Sequence, residues 1–399
     1  MKTIVTSSAP APQANPGRPA SGTARMASLD ILRGLTVAFM ILVNNAGDGA
    51  ASYLQLRHSV WNGCTLTDLV FPMFLFIMGI SMALSFESRL RKGRSRGEIA
   101  IEAARRAATI VVIGLVLNAL PFFHLDTLRY CGVMQRIGLC YLMAALIYLA
   151  GQARLTAIVT VVLLVGYWAL MTWAPVPGCG GNGATLGILN QPCNLASALD
   201  RMAIPVAHRY RHTFYDPEGL LSTLPALASV LIGVLVASWL RAPVSQRKKL
   251  GWLAASGALL VGMGWIWSEV FPLNKRLWTS SYVLFTAGIS LLLLAAAAML
   301  FDGEGEQTPL RRWFQPLASV GRIFGTNALT AYVLSEVLSI VIGAIHAGSA
   351  GTLQRLTYLW LPGFLVPGPF RSLVWSVLFV GVCFVPVAVL YRRRIFLKL

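Results

Sequence analysis

Ten runs of roughly 20 mostly apolar residues constrain this chain more than anything else in it. In hydrocarbon each backbone N–H and C=O must find a partner within its own segment, and a helix provides that locally. The runs cover residues 29–47, 66–86, 107–120, 133–151, 155–174, 218–240, 250–270, 278–301, 322–343 and 372–391. They predict an all-α fold, a polytopic transmembrane helix bundle of about ten spans in a lipid bilayer. With 56% apolar and 12% charged residues and a mean hydropathy of +0.67, a soluble domain of 399 residues is excluded.

The net charge of +18 would suit a nucleic-acid partner if the basic residues lined one face. They instead fall in short clusters between apolar runs, so no nucleic acid is expected and topology accounts for them. One set of alternate connections holds 21 basic residues and the other nine, with Arg33, Arg136 and Arg322 at helix ends. Both termini are therefore expected to be cytoplasmic, in a bacterial inner (plasma) membrane. Residues 1–28, rich in Pro, Ala, Ser and Gly, read as a disordered cytoplasmic tail, and 29–399 as one membrane domain. The long external segment near 175–217 contains Cys179 and Cys193, which an oxidising compartment would join. No cysteine or histidine set has metal-ligand spacing, so no metal is expected. No Walker loop, dinucleotide fingerprint or HExxH motif occurs.

Polar groups at membrane depth are expensive and mark function. Between the first two runs lies His58, followed by Trp61 and Asn62, with Asn44 and Asn45 closing the first run and Asp68 opening the second. A neutral imidazole suits proton removal from an amine, and the Asn44 amide suits a developing oxyanion. Asp68 either orients His58 or caps its helix; Asn45, with Trp61 and Asn62 a candidate acceptor contact, reads more readily as a helix cap. Arg136, Asp216, Glu218, Lys275 and Trp278 open later runs on the same side and would offer an acceptor carboxylates, cations and an aromatic surface. Glu336 lies inside the ninth run, where Lys275, Arg136 or substrate would answer its charge. On the opposite side Arg33, which can pair with Asp30 three residues away, joins Arg105, Arg106 and Lys248 as candidate phosphate contacts.

The blocks SLDILRGL, LVNN, HSVWNGCTLTDLVFPMFLF, GVMQRIGLCY, DPEGLLSTLPA, FPLNKRLWTSSYVL and GTNALTAYVLSE occur in this order. The chain thereby resembles the heparan-alpha-glucosaminide N-acetyltransferase family in its shorter bacterial form. The resemblance implies an acyltransferase that takes acetyl-CoA from the cytosol as co-substrate and acetylates glucosamine, or a glucosamine-ended saccharide, on the far side. It also implies that His58, in the HxxWNG block, is catalytic and that Asn44 matches the family's essential asparagine. No acetyl-carrying protein is required, and a homodimer stays open. A membrane O-acyltransferase of periplasmic glycans would need the same donor route. A sugar transporter would be expected to show an internal repeat, and none is evident.

Overall fold

The computed structural model describes residues 26–176, 179, 185–187, 189–302, 308–348 and 351–396. Its long helices are α1 (Ala27–Asn44), α2 (Leu66–Arg91), α3 (Arg96–Ala119), α4 (Val133–Trp173), α6 (Thr223–Leu240), α7 (Gln246–Trp267), α8 (Ser280–Phe301), α11 (Ala328–Ala344) and α13 (Pro369–Arg392). Shorter helices are α5 (Leu195–Ala203), α9 (Pro309–Trp313), α10 (Gln315–Thr326) and α12 (Leu353–Leu359). The only strands among the described residues form a two-residue antiparallel ladder, Pro175–Val176 against Thr185–Leu186.

Each apolar run falls on a helix, but the count by length and composition differs from ten. Among the described residues seven helices are long and apolar enough to cross a membrane, and α10 with α11 makes an eighth if that pair, bent by 86°, is one span. Two causes account for the difference. Helix α4 is two helices that meet at Gln152, whose φ of 50° and ψ of −143° are non-helical; 41 unbroken residues would reach about 62 Å, twice the hydrocarbon thickness. Helix α3 begins with Arg96, Glu98, Glu102, Arg105 and Arg106, so only its second half is apolar.

The first helix also begins earlier than its apolar run. Ser28, assigned to the tail from sequence, is buried in α1, and its N–H donates to Asp302 Oδ1 at the end of α8 over 2.9 Å. Met26 precedes α1 and Ala27 begins it, while residues 1–25 lie outside the described residues.

Helices α2, α6 and α8 are buried along most of their length, while α7 and α13 bury only a minor part of theirs. Close approach in the centre depends on missing side chains: a Cβ on Gly79 of α2 would collide with the Val230 carbonyl of α6, and one on Gly233 of α6 with the Phe76 carbonyl of α2. Such small-residue contacts let helices associate where lipid provides no hydrophobic drive between them.

The bridge expected between Cys179 and Cys193 is present. Beside it Asn194 caps α5, accepting from the Ser197 N–H over 2.8 Å. Asp200 of α5 then accepts from the Leu220 N–H over 2.9 Å, tying the segment to the approach to α6. Closing a loop of this length contributes about 3 kcal/mol. Replacing both cysteines with serine should lower the melting temperature to that of the reduced wild-type protein. Equal melting of oxidised and reduced wild type would contradict a stabilising bridge.

Candidate active site

The loop between α1 and α2 carries His58, and the start of α2 determines where it points. Thr65 and Asp68 form a capping box. Asp68 Oδ2 accepts from the backbone N–H of Thr65 over 3.1 Å and of Ser59 over 3.0 Å. Its other oxygen, Oδ1, accepts from His58 Nδ1 over 2.8 Å. Capping and orienting, which the sequence posed as alternatives for Asp68, are thus performed by one carboxylate, one oxygen for each. An ionised carboxylate only accepts, so Nδ1 carries the imidazole proton and Nε2 is left with its lone pair. The Asp68 side chain is 0% exposed and that of His58 44% exposed. Tyr282 of α8 donates its hydroxyl to the Asp68 backbone carbonyl, anchoring the same turn from behind.

A second loop, between α7 and α8, closes over this pair. The Gly63 N–H donates to the Leu273 carbonyl over 2.8 Å, and Asn274 Nδ2 donates to Asn62 Oδ1 over 3.1 Å. Asn274 Oδ1 also accepts from the Leu277 N–H over 2.9 Å. These bonds bring Lys275 Nζ to 3.0 and 3.3 Å from the two ring nitrogens of His58 and to 3.8 Å from Asp68 Oδ1. Burial pushes the His58 pKa below its ordinary value of 6.5; the Asp68 hydrogen bond opposes that shift and the Lys275 ammonium adds to it. Burial, with Asp68 close by, pushes the neighbouring Cys64 thiol up to about 12, which keeps it protonated and non-nucleophilic.

Around this centre the expected residues divide. Trp61 stands beside it, donating Nε1–H to the Leu189 carbonyl over 2.7 Å and packing edge-on against Tyr215. Asp216 and Glu218 are both held by Arg129, at 3.1 Å and 2.6 Å. Arg129, counted in the sequence only for its topological charge, is the missed member of this cluster; nothing in its immediate sequence context marks it. Arg136 is buried, donates to the Gly219 carbonyl over 3.2 Å, and lies over the Trp278 ring. Trp278 corrects an expectation. It is 1% exposed, donates Nε1–H to Ser229 and packs edge-on against Phe71, so its ring is enclosed among helices and presents no surface to an acceptor.

Asn44 and Asn45 also separate. Asn45 is buried and turns Nδ2 back to the Ile41 carbonyl over 2.8 Å, closing its own helix. Asn44 is exposed and lies within hydrogen-bonding reach of Glu336, as does Tyr332. The expected partners of Glu336 were Lys275, Arg136 or substrate; the protein partners found are Asn44 and Tyr332, because the bent α10–α11 pair brings α11 against α1.

The far end of α2 borders two cavities. One, of about 550 Å³, is lined by Arg33, Arg89, Arg105, Arg106, Tyr141 and Asn327, and reaches inward to Phe74, Met78 and Ile137. The other, of about 1150 Å³, takes in Arg91, Lys92, Arg241 and Lys249, and shares Arg33, Ser81 and Ser85 with the first. Arg33 sits at this boundary, 2.7 Å from Asp30 and donating Nε–H to the Gly325 carbonyl over 2.8 Å. Lys248, expected among the phosphate contacts, is exposed near the start of α7, and its neighbour Lys249 faces the cavity instead. Phe74 lies six residues beyond Asp68 on α2, about 9 Å along the axis.

The family model for the heparan-alpha-glucosaminide N-acetyltransferase catalytic region matches residues 25–266. The human and mouse proteins named heparan-alpha-glucosaminide N-acetyltransferase are each 28% identical to this chain, over 362 and 367 residues. Those alignments cover 78% and 80% of the chain and 53% and 54% of the relatives, so the chain spans about half the length of the curated relatives it matches. Asn44, His58, Asp68 and the arginines of the smaller cavity fall inside the matched interval; Lys275 and Glu336 lie beyond it.

The geometry predicts that His58 titrates below 6.5. Its Cε1–H resonance, assigned against His58→Gln, should show a midpoint under that value. In Asp68→Asn the midpoint should fall further, because the carboxylate that favours the imidazolium is gone. A wild-type midpoint above 6.5 would contradict this electrostatic account.

Proposed function

The chain belongs to the heparan-alpha-glucosaminide N-acetyltransferase catalytic family, and from that premise we propose that it moves acetyl from cytosolic acetyl-CoA to the amine of glucosamine, or of a glucosamine-ended saccharide, at the opposite membrane face. The observation that carries this reading is the accessible His58 imidazole held by the wholly buried Asp68 carboxylate. Its free Nε2 takes a proton from the amine as the nitrogen attacks the thioester carbon. Asn44, steadied by Glu336, donates to the oxyanion, and the C–S bond then breaks to release CoA. Both substrates are bound together, so direct transfer is favoured over an acetyl-histidine, which would hydrolyse at so open a site.

The donor enters through the smaller cavity. CoA phosphates cannot dissolve in hydrocarbon, and Arg89, Arg105 and Arg106 offer them charged donors at its mouth. The thin pantetheine arm follows α2 past Met78 and Phe74 towards His58. Both termini lie on the donor side and the chain crosses ten times, counting α3, both arms of α4 and the bent α10–α11 pair as spans; the 21 to nine division of basic residues supports this orientation.

Purified protein given isotopically labelled acetyl-CoA and glucosamine should yield labelled N-acetylglucosamine by mass spectrometry, and His58→Ala should yield none. Product formation unchanged in His58→Ala would overturn the reading. Asn44→Ala should lower kcat on the order of a hundredfold. Arg105→Ala and Arg106→Ala should raise the KM for acetyl-CoA while leaving kcat near its wild-type value. For topology, single cysteines at Gly97 and Gly363, with the other free cysteines replaced, should label from opposite sides of sealed membranes. Labelling of both from one side would remove the cross-membrane route.

A further inference from the structure

Lys275 brings its Nζ against the imidazole that is to act as base. Its Nζ is nearly equidistant from Nδ1 and Nε2, at 3.0 and 3.3 Å. A donor lying in the ring plane on one nitrogen stands far from the other, so near-equal distances place Nζ over the ring face. Nδ1 is already engaged with Asp68, and the in-plane lone pair of Nε2 stays open. The lysine therefore charges the surroundings of the base without capping it.

We propose that Lys275 is a positioning residue that keeps His58 unprotonated between turnovers and, by repelling the imidazolium formed during the reaction, drives the abstracted proton on to the departing CoA sulfur. The proposal rests on the acetyl-transfer reading above. The step balances as follows: the amine N–C bond forms, the C–S bond breaks, and one proton passes from the amine nitrogen through Nε2 to the thiolate. His58 returns neutral, with no base or acid consumed from solvent.

The charges that face this pair are few. Asp68 from α2 and Lys275 and Arg276 from the α7–α8 loop act on His58. Burial and, less strongly, Arg276 lower the Lys275 pKa, while Asp68 and Glu218 favour its ammonium; the neighbouring Cys64 is a neutral thiol. Burial disfavours the imidazolium, whereas Asp68 favours it. Lys275, 3.8 Å from the same carboxylate oxygen, offsets that pull.

The test is the pH dependence of kcat/KM for the amino sugar in Lys275→Met and Lys275→Arg. Removing a like charge at this distance raises a neighbouring pKa by about one unit or more. The acid limb of Lys275→Met should therefore move up by that amount, with activity at the foot of the limb falling about tenfold more than in wild type. In Lys275→Arg it should stay in place. A limb unmoved in both variants, with only the KM for the amino sugar raised, would make Lys275 a substrate contact and overturn the inference. Lys275→Gln provides a second variant if the methionine form fails to fold. Its His58 resonance can be titrated without substrates, and a midpoint no higher than wild type overturns the inference alone. Transfer that persists in His58→Ala instead overturns the functional reading on which it rests.

Discussion

A carboxylate fully removed from solvent needs partners for both its oxygens, and Asp68 obtains them from two different levels of structure. Oδ2 takes the backbone donors of Ser59 and Thr65, which begins α2 and folds the preceding loop onto it. Oδ1 takes the imidazole. A burial that would cost several kcal/mol for an unpaired ion is thereby converted into a fixed loop conformation and a fixed His58 tautomer. Losing either set of bonds would leave a buried charge uncompensated, so the beginning of the helix and the presentation of the histidine depend on each other.

The strap from the α7–α8 loop extends this dependence across the sequence. Asn274 and Leu273 bond to Asn62 and Gly63, and Lys275 comes to His58 as a consequence. On the other side, α11 brings Glu336 and Tyr332 to Asn44. The α1–α2 and α7–α8 loops therefore meet at the start of α2, while the arginine-lined cavity opens near its other end. Helix α2 is the ruler between the two: Ser81, on the cavity wall, lies 13 residues past Asp68, about 20 Å along the axis. On the proposed function, phosphates held at those arginines and a base at that separation need a substrate long and thin enough to connect them, which is how a thioester on an extended arm differs from a compact donor.

The bundle was readable in the chain because span length and apolar composition are set by the bilayer, not by details of packing. What the pattern could not show is where backbone geometry interrupts it. Gln152 breaks α4 at a residue that is not a proline, and α10 turns into α11 at Asn327 within one apolar run. The site divided in the same way. His58, Asp68 and Asn44 stood out because polar residues beside membrane spans are rare, and the structure brings His58 and Asp68 into direct contact. Arg129 stayed hidden because a loop arginine looks the same whether it serves topology or a buried ion-pair cluster. Trp278 misled because an aromatic at a helix start reads as a platform, whereas its φ of 53° turns it inward among α2, α4 and α6.

The account turns on a base at one face served by a donor from the other. Sealed vesicles holding protein of a single orientation, with labelled acetyl-CoA enclosed on the arginine side and glucosamine only outside, test that arrangement directly. The proposed function predicts labelled N-acetylglucosamine outside and free CoA retained inside, with neither formed by the His58→Ala protein. Acetylated sugar appearing only when acetyl-CoA and glucosamine are supplied on the same side would contradict it.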